Sequence, residues 1–448
     1  MTARDDFDRH LSAWLDATAP QREPEHLLET VLARTARTRR RPAWRIPERW
    51  IPLSVTTSMA RPSRVPWRTV SLAALLILAL AAAAALVAGT RKPALPSPFG
   101  FAANGPIVYA SEGQIYLRQT LDAAPTVFAA GPDKITAFFS PRGDKVAFLE
   151  SAGAAGSILW VADPDGRNAI KLGGPFLHDD WYEWSPDGSL IAVQSDIGPS
   201  TAISLVRTDG SGGRILDLKG MPAGMPTFRP TDGQQLLIRG LTHGAIGMDW
   251  GFYLVNLDGS GLTKLDLDPG FADDPDYNGN RDYYFLSPMW SPDGTRIAFH
   301  TLEPIPGDPG FRVHTAAVSA SGTVSDEHIL EYDPASTDEF AATWLPGGDG
   351  LVFESLGSGV LKVRTGAPDP GATARDIGDA AQVGSGWPDG GVTYALSPDG
   401  ALVVARTQLP AGSGAGPRPL WVSDVATGRD TRDLFAADDI VSWQRLAR

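Results

Sequence analysis

The densest set of cation-ligating side chains lies between residues 274 and 282, Asp-Pro-Asp-Tyr-Asn-Gly-Asn-Arg-Asp. Asp274, Asp276, Asn278 and Asp282 hold positions 1, 3, 5 and 9, and Gly279 stands at position 6. That spacing curls alternate oxygens inward around a hard cation, and the Asn280 backbone carbonyl adds a further ligand, so a bound Ca²⁺ is the expected cofactor. The twelfth position is Phe285, not the Glu of a helix–loop–helix site. The competing reading is a solvated acidic insertion.

A second group is looser. Asp133, Asp179-Asp180, Asp338-Glu339 and Asp438-Asp439 each precede an apolar run, and Trp181, Tyr182, Tyr283 and Tyr284 accompany them. If those runs are the innermost strands of a ring of sheets, the acids and aromatics rim one mouth of its channel. Asp179, Asp180, Trp181, Tyr283, Asp338, Glu339, Asp438 and Asp439 would then bind a protein or a small cationic ligand. The alternative is that these acids cap turns and stay hydrated.

Signatures of catalysis are sparse. The sequence contains no Gly-x-Ser-x-Gly, no His-Glu-x-x-His, no Walker loop and no Gly-x-Gly-x-x-Gly. His178, Glu183 and His243 are the residues from which a channel-centred metal or acid–base site would be built. The reading preferred on sequence is therefore a non-enzymatic binding or sensing module. An enzyme of lactonase or glycan-processing type is the alternative. Cys is absent, which removes disulfides, thiolate metal sites and Cys nucleophiles. The formal net charge of −13 argues against nucleic acid as a partner.

These residues must be positioned by a repeat. Met289-Trp-Ser-Pro-Asp-Gly-Thr-Arg-Ile-Ala-Phe299 reads as strand, tight turn, strand. Pro presets φ, Asp bonds its own backbone, and Gly takes positive φ. Copies stand at Phe139-Ser-Pro-Arg-Gly143, Trp184-Ser-Pro-Asp-Gly188, Phe228-Arg-Pro-Thr-Asp-Gly233, Trp344-Leu-Pro-Gly-Gly348 and Leu396-Ser-Pro-Asp-Gly400, with a truncated one at Val441-Ser-Trp-Gln444. Each is followed by a second apolar run, such as Ile158-Leu-Trp-Val-Ala-Asp163 or Leu420-Trp-Val-Ser-Asp424. The period is that of a propeller blade. The expected fold is all-β, a seven-bladed propeller over 105–448, with six blades as the competing count. The first blade lacks an anchor and the last anchor lacks a sequel, so the N- and C-terminal strands are expected to pair and close the ring.

The remainder is different. Residues 1–68 carry 13 Arg against 8 Asp and Glu, a formal +5, and contain two short amphipathic helical patterns. Val70 to Ala88 is uncharged and long enough to cross a bilayer. With almost 70 residues before it, this run reads as an uncleaved anchor over 69–89 and not as a signal peptide. The Arg-rich flank places residues 1–68 in the cytoplasm and the propeller outside a cell membrane crossed once. Residues 90–104, rich in Pro, read as an extended spacer.

Trp-Ser-Pro-Asp-Gly followed by Ile-Ala-Phe, with Trp-Val-Ala-Asp one strand later, resembles the TolB-type propeller family over about 107–448. The resemblance implies the propeller fold, on which partner-binding scaffolds, oligopeptidase gates and sensors are all known. The loop at 274–282 is similar to calcium loops of integrin-type propellers. A small cytoplasmic head, one span and an external domain resemble the layout of membrane-anchored anti-sigma factors, which implies a cytoplasmic partner for residues 1–68. The His/Cys zinc signature usual in such heads is absent, since this head has only His10 and His26.

Overall fold

A computed structural model describes residues 96–448 except 132, 177–180, 198–199, 232, 245–246, 268–285, 304–309, 331–337, 358–359, 370–371, 380–393, 407–416 and 429–431, and, nearer the N-terminus, 12–14, 17, 71 and 74–77. The chain forms two compact units, Met1–Lys92 and Pro93–Arg448.

In the first unit the described residues are helical. Leu75, Leu76 and Ile77 are 66%, 62% and 67% exposed. Among the described residues no helix is long and apolar enough to cross a membrane. The expected span over 69–89 and the expected helical head over 1–68 lie otherwise outside the described residues.

The second unit is built from seven four-stranded antiparallel sheets, a seven-bladed propeller. Blade 1 spans Ala103–Ser111 to Thr126–Ala129, and blades 2 to 7 begin at Lys134, Tyr182, Ala223, Leu286, Asp338 and Tyr394. Six blades use four consecutive strands. Blade 1 takes its innermost strand, Ser442–Leu446, from the far end of the sequence, with Ile107 opposite Trp443.

Seven apolar clusters hold the sheets, and each joins two neighbours. Trp184 and Ile191 of blade 3 pack with Leu149 and Leu159 of blade 2. Trp344 of blade 6 packs with Ala298 and Val313 of blade 5. Val404 and Leu420 of blade 7 pack with Ile107, Tyr109 and Trp443 of blade 1. Six of the seven anchors named from the sequence are at most 8% exposed, and the seventh, Leu396, is partly buried beside the blade 6–7 cluster. Burying an aromatic ring between two sheets stabilises each junction by roughly 2–3 kcal/mol.

The recurrent turn is a small polar device. At Ser185-Pro-Asp-Gly188 the Ser185 hydroxyl accepts from Leu190 N at 2.9 Å and donates to Asp187 Oδ1 at 2.7 Å. Asp187 Oδ1 also accepts from Ser189 N. The same bonds recur at Ser291–Asp293 and Ser397–Asp399. In the Ser-Pro-Arg-Gly copy the acid is displaced to Asp144, which still accepts from Ser140. Gly143 has φ +69°, and a Cβ there would meet Arg445 O at 2.3 Å, so the turn closes only with glycine.

The turn at residues 229–234 has Arg229 in place of Ser. Its guanidinium is buried over the Trp290 ring and donates to Gly294 O, Ser319 O and Val318 O, all in blade 5. A turn that lacks its own keystone hydroxyl thereby ties two blades together.

Residues 96–104 lie against this same turn face, where an extended spacer was expected. Arg445 donates to Gly100 O and Ala102 N donates to Pro398 O. Asn104 exchanges two hydrogen bonds with Asp399, and Phe101 lies within 3.4 Å of where a Cβ on Gly347 or Gly400 would stand.

Candidate ligand-binding face

The innermost strand of each blade starts at one face of the propeller and ends at a Pro turn on the other. The two faces differ in the length of their connections. Turns from the first to the second strand occupy five or six residues, as at 185–189 and 140–145. The strands that end and start at the opposite face are separated by longer stretches of sequence, from Lys264 to Leu286, from Asp379 to Tyr394 and from Arg406 to Arg418. Long connections on a rigid scaffold are where binding residues concentrate.

Acidic groups behave differently at the two faces. On the turn face, burial acts to raise the carboxyls of Asp187, Asp293 and Asp399, but hydrogen bonds from the turn hold all three below the usual carboxylate range. On the long-connection face, Asp133 is exposed at φ +72° with no side-chain partner among the described residues. The backbone of Asp438 is pinned: its N–H donates to Ala110 O and its carbonyl accepts from Arg406 Nη1 at 2.8 Å. The Asp438 carboxylate has no partner among the described residues. Asp439 Oδ1 accepts from Ile440 N, at 2.7 Å.

Trp181 is partly buried and donates from Nε1 to Pro226 O at 2.9 Å, bridging blades 3 and 4. Glu339 is 1% exposed. It sits opposite Ser355, on the side of its strand that faces blade 5, and is therefore inside the blade stack and not on the rim. A bulge between Phe340 and Thr343 resets the alternation there. For Asp338 only the strand position, opposite Leu356, is described. Asp179, Asp180, Tyr283 and the whole set Asp274, Asp276, Asn278, Asn280 and Asp282 lie outside the described residues, as does His178. His243 is described only as a strand residue opposite Met248. Among the described residues no three His, Asp or Glu side chains are grouped to hold a metal ion.

A girdle of side chains lines the innermost layer. The residue before each anchor is in turn Phe138, Glu183, Thr227, Met289, Thr343, Ala395 and Ser442. Phe138 meets Tyr182 and Trp184 of the next blade, and the Ser442 hydroxyl accepts from Phe139 N, also of the next blade. By register Glu183 lies opposite Ala192, on the side of blade 3 that faces blade 4. Of the seven, Glu183 alone is charged by type. Protein surrounds its carboxyl, which is only partly accessible, and this loss of water pushes its pKa up to about 8.

Blade 5 holds an arrangement that the sequence did not reveal. Thr301 Oγ1 lies 2.8 Å from His314 Nε2, and His314 Nδ1 lies 4.0 Å from Glu327 Oε1. Hydroxyl, imidazole and carboxylate in that order invite comparison with a nucleophile relay. Thr301 is 0% exposed and His314 2%, so no substrate reaches the hydroxyl, and the contacts tie three strands together. His300 is buried beside Phe311, and that burial, with His314 nearby, pushes its pKa down to about 3, so it is neutral.

No protein-family model matches the chain, and no curated protein matches it. Solved structures similar to it are propellers of TolB and related types. TolB from Acinetobacter baumannii is 17% identical with a TM-score of 0.45, covering 77% of this chain and 81% of that one. An oligogalacturonate lyase in complex with manganese is 14% identical with a TM-score of 0.50, covering 70% and 82%. A pair of prolyl endopeptidases analysed for inter-domain dynamics gives 16% and 0.48, covering 77% of this chain and 50% of that one. At these identities the likeness shows the fold alone.

Proposed function

We propose that the propeller is a binding module without chemistry of its own, which takes a basic segment of a partner protein or a small cationic ligand on its long-connection face. The observation that supports this reading is the contrast between the two sets of acids. Turn-face carboxylates are consumed by the fold, whereas Asp133 and Asp438 present theirs with no partner among the described residues. The sequence between blades 4 and 5, residues 265–285, contains six Asp against one Arg. Unconsumed negative charge around a channel mouth attracts cations and speeds their encounter.

The wider arrangement belongs to the same proposal. The pairing of the C-terminal strand with blade 1 holds the ring shut. Residues 69–89 anchor the chain in a membrane, with 1–68 in the cytoplasm available to a partner and the propeller outside. Residues 274–282 take a Ca²⁺, which would also draw in the neighbouring loop.

The test is binding of a fluorescent oligolysine peptide at low and high salt. Affinity should fall steeply with salt and drop several-fold in the Asp438→Asn/Asp439→Asn protein. Equal binding at both salt concentrations, or in both proteins, would reject the proposal.

A further inference from the structure

We propose that Glu183, together with Trp181, forms an axial subsite that binds a primary ammonium group, the lysine side chain of a bound partner being the natural source. The inference deepens the reading above, on which it rests for the identity of the partner but not for the chemistry of the subsite.

Three observations converge on it. Glu183 is the one ionisable member of the girdle, whose six other members are apolar or hydroxyl side chains. That carboxyl has no hydrogen-bond or ion-pair partner among the described residues, whereas the partly buried Glu150 is paired with Lys134. An enclosed acid without a partner is costly to the fold, and such groups are kept where a ligand completes them. Trp181 lies two residues upstream, its carbonyl accepting from Gln194 N, and its indole is fixed by the bond to Pro226 O of blade 4, the blade that Glu183 faces. A carboxylate and an oriented indole directed toward the same blade offer the charge and the π-face that an ammonium ion takes.

A divalent cation fits less well, because Glu183 belongs to no group of three His, Asp or Glu side chains among the described residues. With its pKa near 8, the free carboxyl is largely protonated at neutral pH. Binding then converts R–NH₃⁺ and COOH into an R–NH₃⁺···⁻OOC pair, and one proton leaves to solvent.

The experiment uses the full-length protein with ¹³C-labelled Glu carboxyls, the Glu183 signal being assigned by its loss in Glu183→Gln. Titration with n-butylammonium should lower the Glu183 midpoint by about one unit, a tenfold shift in proton affinity, while n-butanol leaves it in place. The Trp181 indole signal should respond to n-butylammonium in the wild type and not in Glu183→Gln. A midpoint that does not move, or an indole response that survives in Glu183→Gln, overturns the proposal. Neither readout depends on oligolysine binding, so failure of that assay with success here would reject only the broader reading.

Discussion

The two faces of the propeller use the same residue for opposite purposes. On the turn face, Asp187, Asp293 and Asp399 each accept a hydroxyl and a backbone N–H within their own turns. On the other face, the Asp133 and Asp438 side chains satisfy nothing among the described residues. The lesson is that an acidic protein of formal charge −13 is not uniformly acidic in effect. Charge held in a turn belongs to stability, and charge left outside belongs to recognition.

Perturbations of the turn face should therefore damage the fold, and those of the other face should damage only binding. The largest expected effect is removal of residues 439–448, which strips blade 1 of its innermost strand and exposes Ile107 and Tyr109. Cooperative thermal unfolding should be lost, and retention of a sharp transition would show that the pairing of the C-terminal strand with blade 1 is dispensable. Arg229→Ala comes next. Three blade 5 carbonyls lose their charged donor, and about 3 kcal/mol of stability should go with it in denaturant unfolding. A loss under about 0.5 kcal/mol would mean water replaces the guanidinium.

Asp293→Ala should cost about 1 kcal/mol at neutral pH. Its carboxyl is lowered in the fold, so its contribution is present above the unfolded pKa and disappears as pH falls through the folded one. The wild type and the variant should therefore converge in strongly acidic solution, and a constant gap would contradict the assignment. Glu183→Gln has the opposite sign. The folded pKa of about 8 lies above the ordinary 4.5 of a glutamate, so the native acid costs stability as pH rises between those values. The variant should melt a few degrees higher than wild type at alkaline pH and at the same temperature near pH 4. An equal gain at both pH values would point to packing. Smallest of all is Asp438→Asn, which should leave the melting temperature unchanged.

Much of this architecture was legible because its determinants are local. Pro, Asp and Gly at fixed offsets specify a turn regardless of context, so the anchors and the number of blades could be read directly. What failed to show was long-range. Arg229 looked like a degraded copy of the Ser turn, yet its side chain reaches the neighbouring blade; an Arg where Ser recurs was the available signal. Residues 96–104 looked like a spacer because of their prolines, and Phe101 and Asn104, which dock them, gave no periodic pattern. Glu339 was grouped with the mouth because it precedes an apolar run, and its burial at 1% exposure opposite Ser355 follows from a strand phase that a bulge sets. Glu183 was visible as a candidate, whereas the side of its blade that it faces required the strand register.

The account rests on the separation of the two kinds of acid, and one paired measurement reaches it directly. Oligolysine affinity and melting temperature are determined for Asp438→Asn/Asp439→Asn and for Asp187→Asn/Asp293→Asn. The first pair should lose affinity and keep its melting temperature, and the second should lose melting temperature and keep affinity. Both properties falling together in both proteins, or affinity falling only in the turn-face pair, would contradict it.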